Sequence, residues 1–253
     1  MTLRDDIRTG PTKYGIAVVS NSPAMVETAG LAGLQFVWIE IEHAGTDMML
    51  VEHLCRAAEL HGMWSLLRVP DGGRSSVLRA LEVGGRIIVT PQIHTPEQAR
   101  KVVEYGKFPP LGLRGFNTGS RGMLYGAGGP VLKAMEDANN RTALLVQIES
   151  VEGVKNADAI LSTEGLDGVL VGPGDLSASM GLTAQWDNEE VIHTIERIFA
   201  TAHKYRKVVA TVCPTPALTK RWKAAGAHLL NLASDIGLLR TALKDTADRA
   251  KAL

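Results

Sequence analysis

The 253 residues, 45% of them hydrophobic, suffice for a large core in one or two domains. The 27 Lys and Arg equal the 27 Asp and Glu and are scattered rather than striped, which argues against a nucleic-acid surface. No apolar run nears the ~20 residues of a membrane span, and the opening "MTLRDDIRTG" lacks the apolar core of a signal peptide, so a cytoplasmic protein without membrane attachment is expected.

Short apolar, β-branched runs recur along the chain. The first four are "YGIAVVS" (14–20), "FVWIEIE" (36–42), "WSLLRVP" (64–70) and "RIIVTPQ" (86–92). They continue with "ALLVQIE" (143–149), "DGVLVGP" (167–173), "KVVATVC" (207–213) and "HLLNLAS" (228–234). Between them, segments such as "SPAMVETAGLAG", "DMMLVEHLCRAAELHG" and "TPEQARKVVEYG" open near Ser, Asp or Thr and close on Gly, as helix caps do. Continuous apolar strands alternating with helices predict a parallel α/β sheet. Eight such units predict one closed (β/α)8 TIM barrel over 1–253, with 235–253 as a C-terminal helix. A doubly wound open sheet is the structural competitor. The one long interruption is "KFPPLGLRGFNTGSRGMLYGAGGP" (107–130), too rich in Gly and Pro and too long for an ordinary connector. It is expected to hang at the catalytic end as an active-site loop or to act as an intersubunit arm.

Polar residues gather where these strands end: Ser20, Glu42 and His43, Arg68, Gln92, Gln147 and Glu149, Asp175 and Ser234. In a barrel those ends converge on the face that carries active sites. The charges of "FVWIEIEHAG", costly if buried alone, can then share one polar site. Glu149 in "VQIESVEG" and Asp175 in "VGPGDLS" are two converging carboxylates, suited either to an acid/base pair or to a cation. An all-oxygen site with two protein ligands suits Mg²⁺ or Mn²⁺ better than zinc, and the chain has no HExxH or CxxC. The cysteines, Cys55 and Cys213, are expected to be plain reduced thiols. Gly172 and Gly174 permit close backbone approach at a helix start, where N–H groups can meet an anion. Arg68, ending an apolar strand, must be paired: with a substrate oxygen, or with Glu40 or Glu42 as a structural ion pair.

With these residues collected, the chain resembles the HpcH/HpaI family of metal-dependent aldolases from about residue 15 to about 240. The resemblance rests on "AGLQFVWIEIEH", "LLRVP", "LEVGGRIIVTPQIHTPEQAR", "KFPPLGLRG", "LVQIESVEGVKNADAIL" and "GLDGVLVGPGDLSASMG". It implies a barrel of the phosphoenolpyruvate/pyruvate type, assembled as a homohexamer, a trimer of domain-swapped dimers. It implies that Glu149 and Asp175 bind a divalent metal, Mg²⁺ or Mn²⁺, with Co²⁺ as a further candidate. Pyruvate, or another small 2-oxo acid, would chelate that metal and be bound by Gln147, Gly172, Pro173, Gly174 and Asp175. Arg68 would touch the keto oxygen, and His43 would be the acid/base residue, acting through a metal-bound water. Glu40 and Glu42 would support the site from behind. The implied reaction cleaves or forms 4-hydroxy-2-oxo acids through a pyruvate enolate and an aldehyde.

Two residues depart from the family pattern. Glu40 in "IEIEH" and Glu82 in "LEVGG" both stand where members often carry Asp. In the family the second carboxylate can pair with the base histidine across a subunit boundary, and Glu82 retains the charge with a longer reach. Other readings are an oxaloacetate decarboxylase-type lyase using the same enolate, and a barrel that binds an oxo acid without turnover. A coenzyme A lyase is disfavoured by the lack of a basic cluster for its phosphates.

Overall fold

A computed structural model describes residues 2–252. The eight strands are β1 Lys13–Val18, β2 Phe36–Glu40, β3 Trp64–Arg68, β4 Ile87–Thr90, β5 Ala143–Ile148, β6 Gly168–Val171, β7 Val208–Val212 and β8 Leu229–Ser234. Each pairs in parallel with the next, and β8 returns to β1, closing the barrel. The eight expected runs are therefore the eight strands, most of them trimmed by a residue or two, and the open doubly wound sheet is excluded.

The helices are α1 Leu3–Thr9, α2 Pro23–Leu31, α3 Met48–Leu60, α4 Arg74–Glu82, α5 Pro96–Gly106 and α6 Val131–Arg141. They continue with α7 Val151–Lys155, α8 Ala157–Leu161, α9 Pro173–Ser179, α10 Glu189–Lys204, α11 Pro216–Ala224 and α12 Asp235–Lys251. Their starts follow local chemistry. Ser22, Asp47, Thr95 and Thr215 each accept a backbone N–H of the first turn, and Pro23, Pro96 and Pro216 occupy positions where the missing N–H costs nothing. No helix of the described residues is long and apolar enough to cross a membrane.

Strand alternation divides the apolar residues into two cores. Val37, Ile39, Leu67, Ile88, Val146 and Val169 face outward and pack against the helices. Phe36, Trp38, Leu66, Val89, Leu145 and Leu170 face inward and fill the barrel. Continuing the inward register by two residues reaches Glu40, Arg68 and Gln147, so the apolar filling gives way to a polar top layer at the C-terminal ends.

The long interruption does not lie at the catalytic end of its own chain. It follows α5, a helix that runs back toward the N-terminal ends of the strands, and contains a 3-10 turn, Arg121–Gly126. Arg114 pairs with Glu82 at the end of α4, Arg121 donates to the carbonyl of Val83, and Arg141 donates to that of Gly122. Residues 107–130 thus pack at the face opposite the strand C-termini and form no lid over their own chain's mouth. The physical reason is connectivity: a segment between a helix and its next strand starts and ends at the lower rim.

Candidate active site

A cavity of about 780 Å³ opens at the C-terminal face. Its polar wall comes from β2, β3, β5 and the α9 start: Glu40, His43, Arg68, Gln147 and Asp175. An apolar wall opposite is made by Trp186, Pro214, Leu232 and Leu238. That volume lies within the roughly 300–1,000 Å³ of small-molecule sites.

The "IEIEH" turn is organised by Glu40. Its Oε1 accepts the backbone N–H groups of Glu42 (2.7 Å) and His43 (3.1 Å), and its Oε2 accepts Arg68 Nη2 (2.6 Å) and Nε (2.9 Å). Arg68 Nε also lies 3.1 Å from Glu42 Oε2, and the guanidinium sits 4.9 Å above the Trp38 ring. Arg68 therefore forms the ion pairs weighed as its structural alternative while still lining the cavity. Nη1 has no protein hydrogen-bond partner among the described residues. Burial raises the Glu42 carboxyl above its ordinary range, and the charge of Arg68 opposes this. His43 Nε2 lies 3.7 Å from Glu42 Oε2, with its side chain largely exposed.

Glu149 is buried just past β5. Its Oε1 accepts the N–H of Gln92 at 2.9 Å, and its Oε2 accepts the Gln147 amide. Gln92 holds this post in the left-handed region (φ 55°), a conformation that disfavours residues other than glycine. Burial drives the Glu149 carboxyl up to about 7; the Gln92 N–H works against this and the neighbouring Asp175 charge adds to it. No Lys or Arg forms an ion pair with Glu149 or Asp175 among the described residues, so the two carboxylates are not spent on arginines.

Three further features bear on what could bind between them. A Cβ on Gly172 would lie 2.8 Å from Gln147 Nε2 and 3.1 Å from Glu149 Oε2, so glycine keeps this cradle open. Gln147 Oε1 is buried without a partner. In the first turn of α9, the N–H groups of Gly174 and Asp175 have no partner within the helix. An unneutralised carboxylate pair, a spare amide oxygen and free N–H groups form a donor set that fits a hard dication and an anionic ligand beside it. No group of three or more His, Cys, Asp or Glu that could hold a metal forms among the described residues. Any ion here would therefore keep open positions.

Of the anticipated residues, Glu42, Gln92 and Glu149 are not part of this cavity's lining, and Ser20 and Glu82 make their contacts elsewhere. Ser20 turns to Asp235, which also accepts the N–H groups of Val19 and Ser20. Glu82 sits in the last turn of α4 at the far rim, with its Oε1 2.8 Å from Arg114 Nη2; within one chain it does not meet His43. Sequence reasoning missed Trp38, Asn231 and Trp186. Trp38 and Asn231 line the cavity and bury unpartnered polar atoms, Nε1 and Oδ1. Counting twos along "FVWIE" and "HLLNLAS" would have turned both inward; Trp186, in a turn between helices, carries no such signal.

A closed barrel with this acidic, arginine-bearing mouth defines an enzyme of the (β/α)8 class. The model of the HpcH/HpaI aldolase/citrate lyase family matches residues 13–242, and the chain belongs to this family of carbon–carbon lyases. It is 34% identical over 230 residues to a 5-keto-4-deoxy-D-glucarate aldolase of Klebsiella pneumoniae subsp. pneumoniae, covering 91% of this chain and 89% of the relative. A 2-keto-3-deoxy-L-rhamnonate aldolase of the same organism is 33% identical over 235 residues, covering 92% of this chain and 87% of the relative. The solved structure of an HpcH/HpaI family protein from Burkholderia cenocepacia J2315 superposes with a TM-score of 0.90 at 28% identity, covering 98% of each chain.

Proposed function

We propose that the protein is a divalent-metal-dependent aldolase that cleaves or forms 4-hydroxy-2-oxo acids through a pyruvate enolate and an aldehyde. The observation that carries this is the unneutralised Glu149–Asp175 pair, set beside Arg68 and His43 at one mouth. The substrates in the names of the two Klebsiella relatives, keto-deoxy sugar acids, support a hydroxylated oxo acid as substrate.

Glu149 and Asp175 would hold the ion, with oxygen donors that suit Mg²⁺ or Mn²⁺. When bound, it supplies a Lewis acid for charge developing on the oxo-acid oxygen. The chain's own residues do the rest. The free N–H groups of Gly174 and Asp175 receive the substrate carboxylate, and Gln147 lines the same wall. Arg68, held by Glu40 and Glu42, presents a fixed cation to the keto oxygen as it gains negative charge. His43 takes the C4 hydroxyl proton as the C3–C4 bond breaks, releasing the aldehyde and leaving the electron pair in the enolate. Protonation at C3 then yields pyruvate. Burial and the Glu40 clamp keep Arg68 from swinging to solvent, so its orientation is set before substrate arrives.

Two further assignments belong to this reading. The largely exposed α12 carries Ile236, Leu239 and Leu243 outside its own barrel, and the 107–130 segment exposes Leu113, Phe116 and Tyr125. Such apolar surface supports association with further copies, as the hexamer requires. In that assembly Glu82 of one copy would orient the base His43 of another.

The test is incubation with Mn²⁺ or Mg²⁺, pyruvate and a panel of hydroxylated aldehydes, with oxaloacetate run in parallel. Aldol adducts that disappear on chelation and return with metal are expected. Pyruvate release from oxaloacetate with no adduct from any aldehyde would replace the aldolase by a decarboxylase. Chelated enzyme forming adducts at the untreated rate would remove the metal from the reaction.

A further inference from the structure

A second polar cavity, of about 220 Å³, lies at the lower rim between α4, the turn entering β4 and the 3-10 turn. Three guanidinium groups line it, those of Arg86, Arg121 and Arg141, against one acidic side chain, Glu59. Arg121 is neutralised, with Nη2 2.5 Å from Glu59 Oε2. Arg141 donates only to the Gly122 carbonyl, at 3.1 Å, and neither Arg86 nor Arg141 has an ion-pair partner among the described residues. Arg114, close behind, is already paired with Glu82.

The arrangement is built into the backbone. Gly84 has φ 95°, a conformation that disfavours other residues, and a Cβ there would lie 1.8 Å from Arg121 Nη1, so a side chain at this position would push the guanidinium from its place. Arg121 Nη1 is in turn fixed by the Val83 carbonyl at 3.2 Å. Burial, and then the charge of Arg86, depresses the proton affinity of Arg141, and the carboxylate of Asp137 opposes this. Gathering like charges in a half-buried cavity costs free energy unless an anion offsets them.

We infer that this cavity is a binding site for a small dianion of the phosphate or sulfate class, separate from the mouth of its own chain. Three cations less one carboxylate leave a surplus of two positive charges (3 − 1 = 2), which matches a dianion. Guanidinium forks suit the oxygens of a tetrahedral anion. The volume lies below the roughly 300–1,000 Å³ of pockets for larger organic ligands, which favours a group of phosphate size over a nucleotide. Residues from α3, the α4–β4 turn, the 3-10 turn and the end of α6 meet here. A bound anion would therefore tie the 107–130 segment to the barrel floor and raise thermal stability without touching the mouth of its own chain.

Isothermal titration of the full-length enzyme with inorganic phosphate, and separately with sulfate, in otherwise anion-poor buffer tests this. One site per chain is expected, with each anion displacing the other and each raising the Tm. R86Q/R141Q is expected to weaken phosphate at least tenfold while leaving aldol turnover in phosphate-free buffer unchanged. If that variant does not fold, R141K, which keeps the charge but not the fork, is expected to weaken phosphate at least threefold. No heat with the parent enzyme overturns the site, as does a folded variant that binds phosphate as tightly as the parent. If R86Q/R141Q instead loses assembly mass by light scattering with no anion bound to the parent, the arginines serve a second copy's carboxylates and the proposal fails.

Discussion

Glu40 on β2 and Arg68 on β3 are register partners on adjacent strands, and their side chains meet at 2.6 Å with little exposure to solvent. The same carboxylate caps the turn that presents His43. One residue therefore orients both the cation and the base proposed for the reaction. Removing one partner of a buried ion pair typically costs about 3–5 kcal/mol. Glu40→Ala is expected to lose stability on that order in denaturant unfolding and to cut turnover at least tenfold, whereas Glu40→Asp is expected to recover most of the stability. Parent-like stability in the alanine variant would show that the pair holds nothing in place.

Glu149 titrates at about 7 in the folded, metal-free chain, against about 4.5 when unfolded. Between these values the folded state carries the extra proton, so this group's contribution makes stability fall as pH rises from about 4.5 to about 7. Thermal unfolding of chelated protein across that window should show the decline, and Glu149→Gln should flatten it. The same proton competes with a divalent ion, so Mn²⁺ affinity is expected to drop about tenfold per pH unit below 7 and to level off above. Equal Mn²⁺ affinity at pH 5.5 and 7.5 would contradict the assignment.

Gly172→Ala places a methyl within 2.8 Å of the Gln147 amide and 3.1 Å of Glu149 Oε2. The barrel should still fold, because the added group meets side-chain ends rather than backbone. Binding of Mn²⁺ and pyruvate is expected to weaken tenfold or more by calorimetry. Undiminished binding would mean that the cradle lies outside the site.

His43 is exposed and makes few contacts beyond its 3.7 Å approach to Glu42. His43→Ala is therefore expected to leave stability within about 0.5 kcal/mol. If His43 moves the hydroxyl proton, turnover should fall by roughly 10²–10⁴, with pyruvate affinity changed far less. Equal turnover in the variant would remove it from the mechanism.

Glu82 separates a local role from one between copies. Glu82→Ala leaves the buried Arg114 without its carboxylate and is expected to destabilise by about 3 kcal/mol. Pairing it with Arg114→Met removes the stranded charge and should restore much of the stability. If Glu82 also orients the His43 of another copy, turnover remains low in the restored double variant and its pH profile shifts. Full turnover there would confine Glu82 to the lower rim.

Much of the barrel was legible residue by residue. "FVWIE", "WSLLR" and "ALLVQI" announce strands because unbroken apolar, β-branched runs with polar ends suit a sheet buried on both faces. In "VGPGD" the two glycines were read as room for an anion at the backbone; the structure shows that Gly172 makes room for the Gln147–Glu149 cluster, whereas a Cβ at Gly174 would meet nothing. The 107–130 segment was misplaced because its composition reveals length and irregularity but not which rim it joins. Asn231 escaped notice because one amide in an apolar strand carries meaning only once its inward direction is known.

What the sequence determined by itself was the eight strands, their order and the cluster of ionisable groups at their C-terminal ends, since strand period and chain direction are local properties. Only the tertiary structure decided partners within the chain: Arg68 with Glu40 and Glu42, Glu82 with Arg114, and Glu149 with an amide instead of an arginine. Which charge neutralises which depends on register between strands and on reach across a few ångströms, and neither is written in any one segment of the chain.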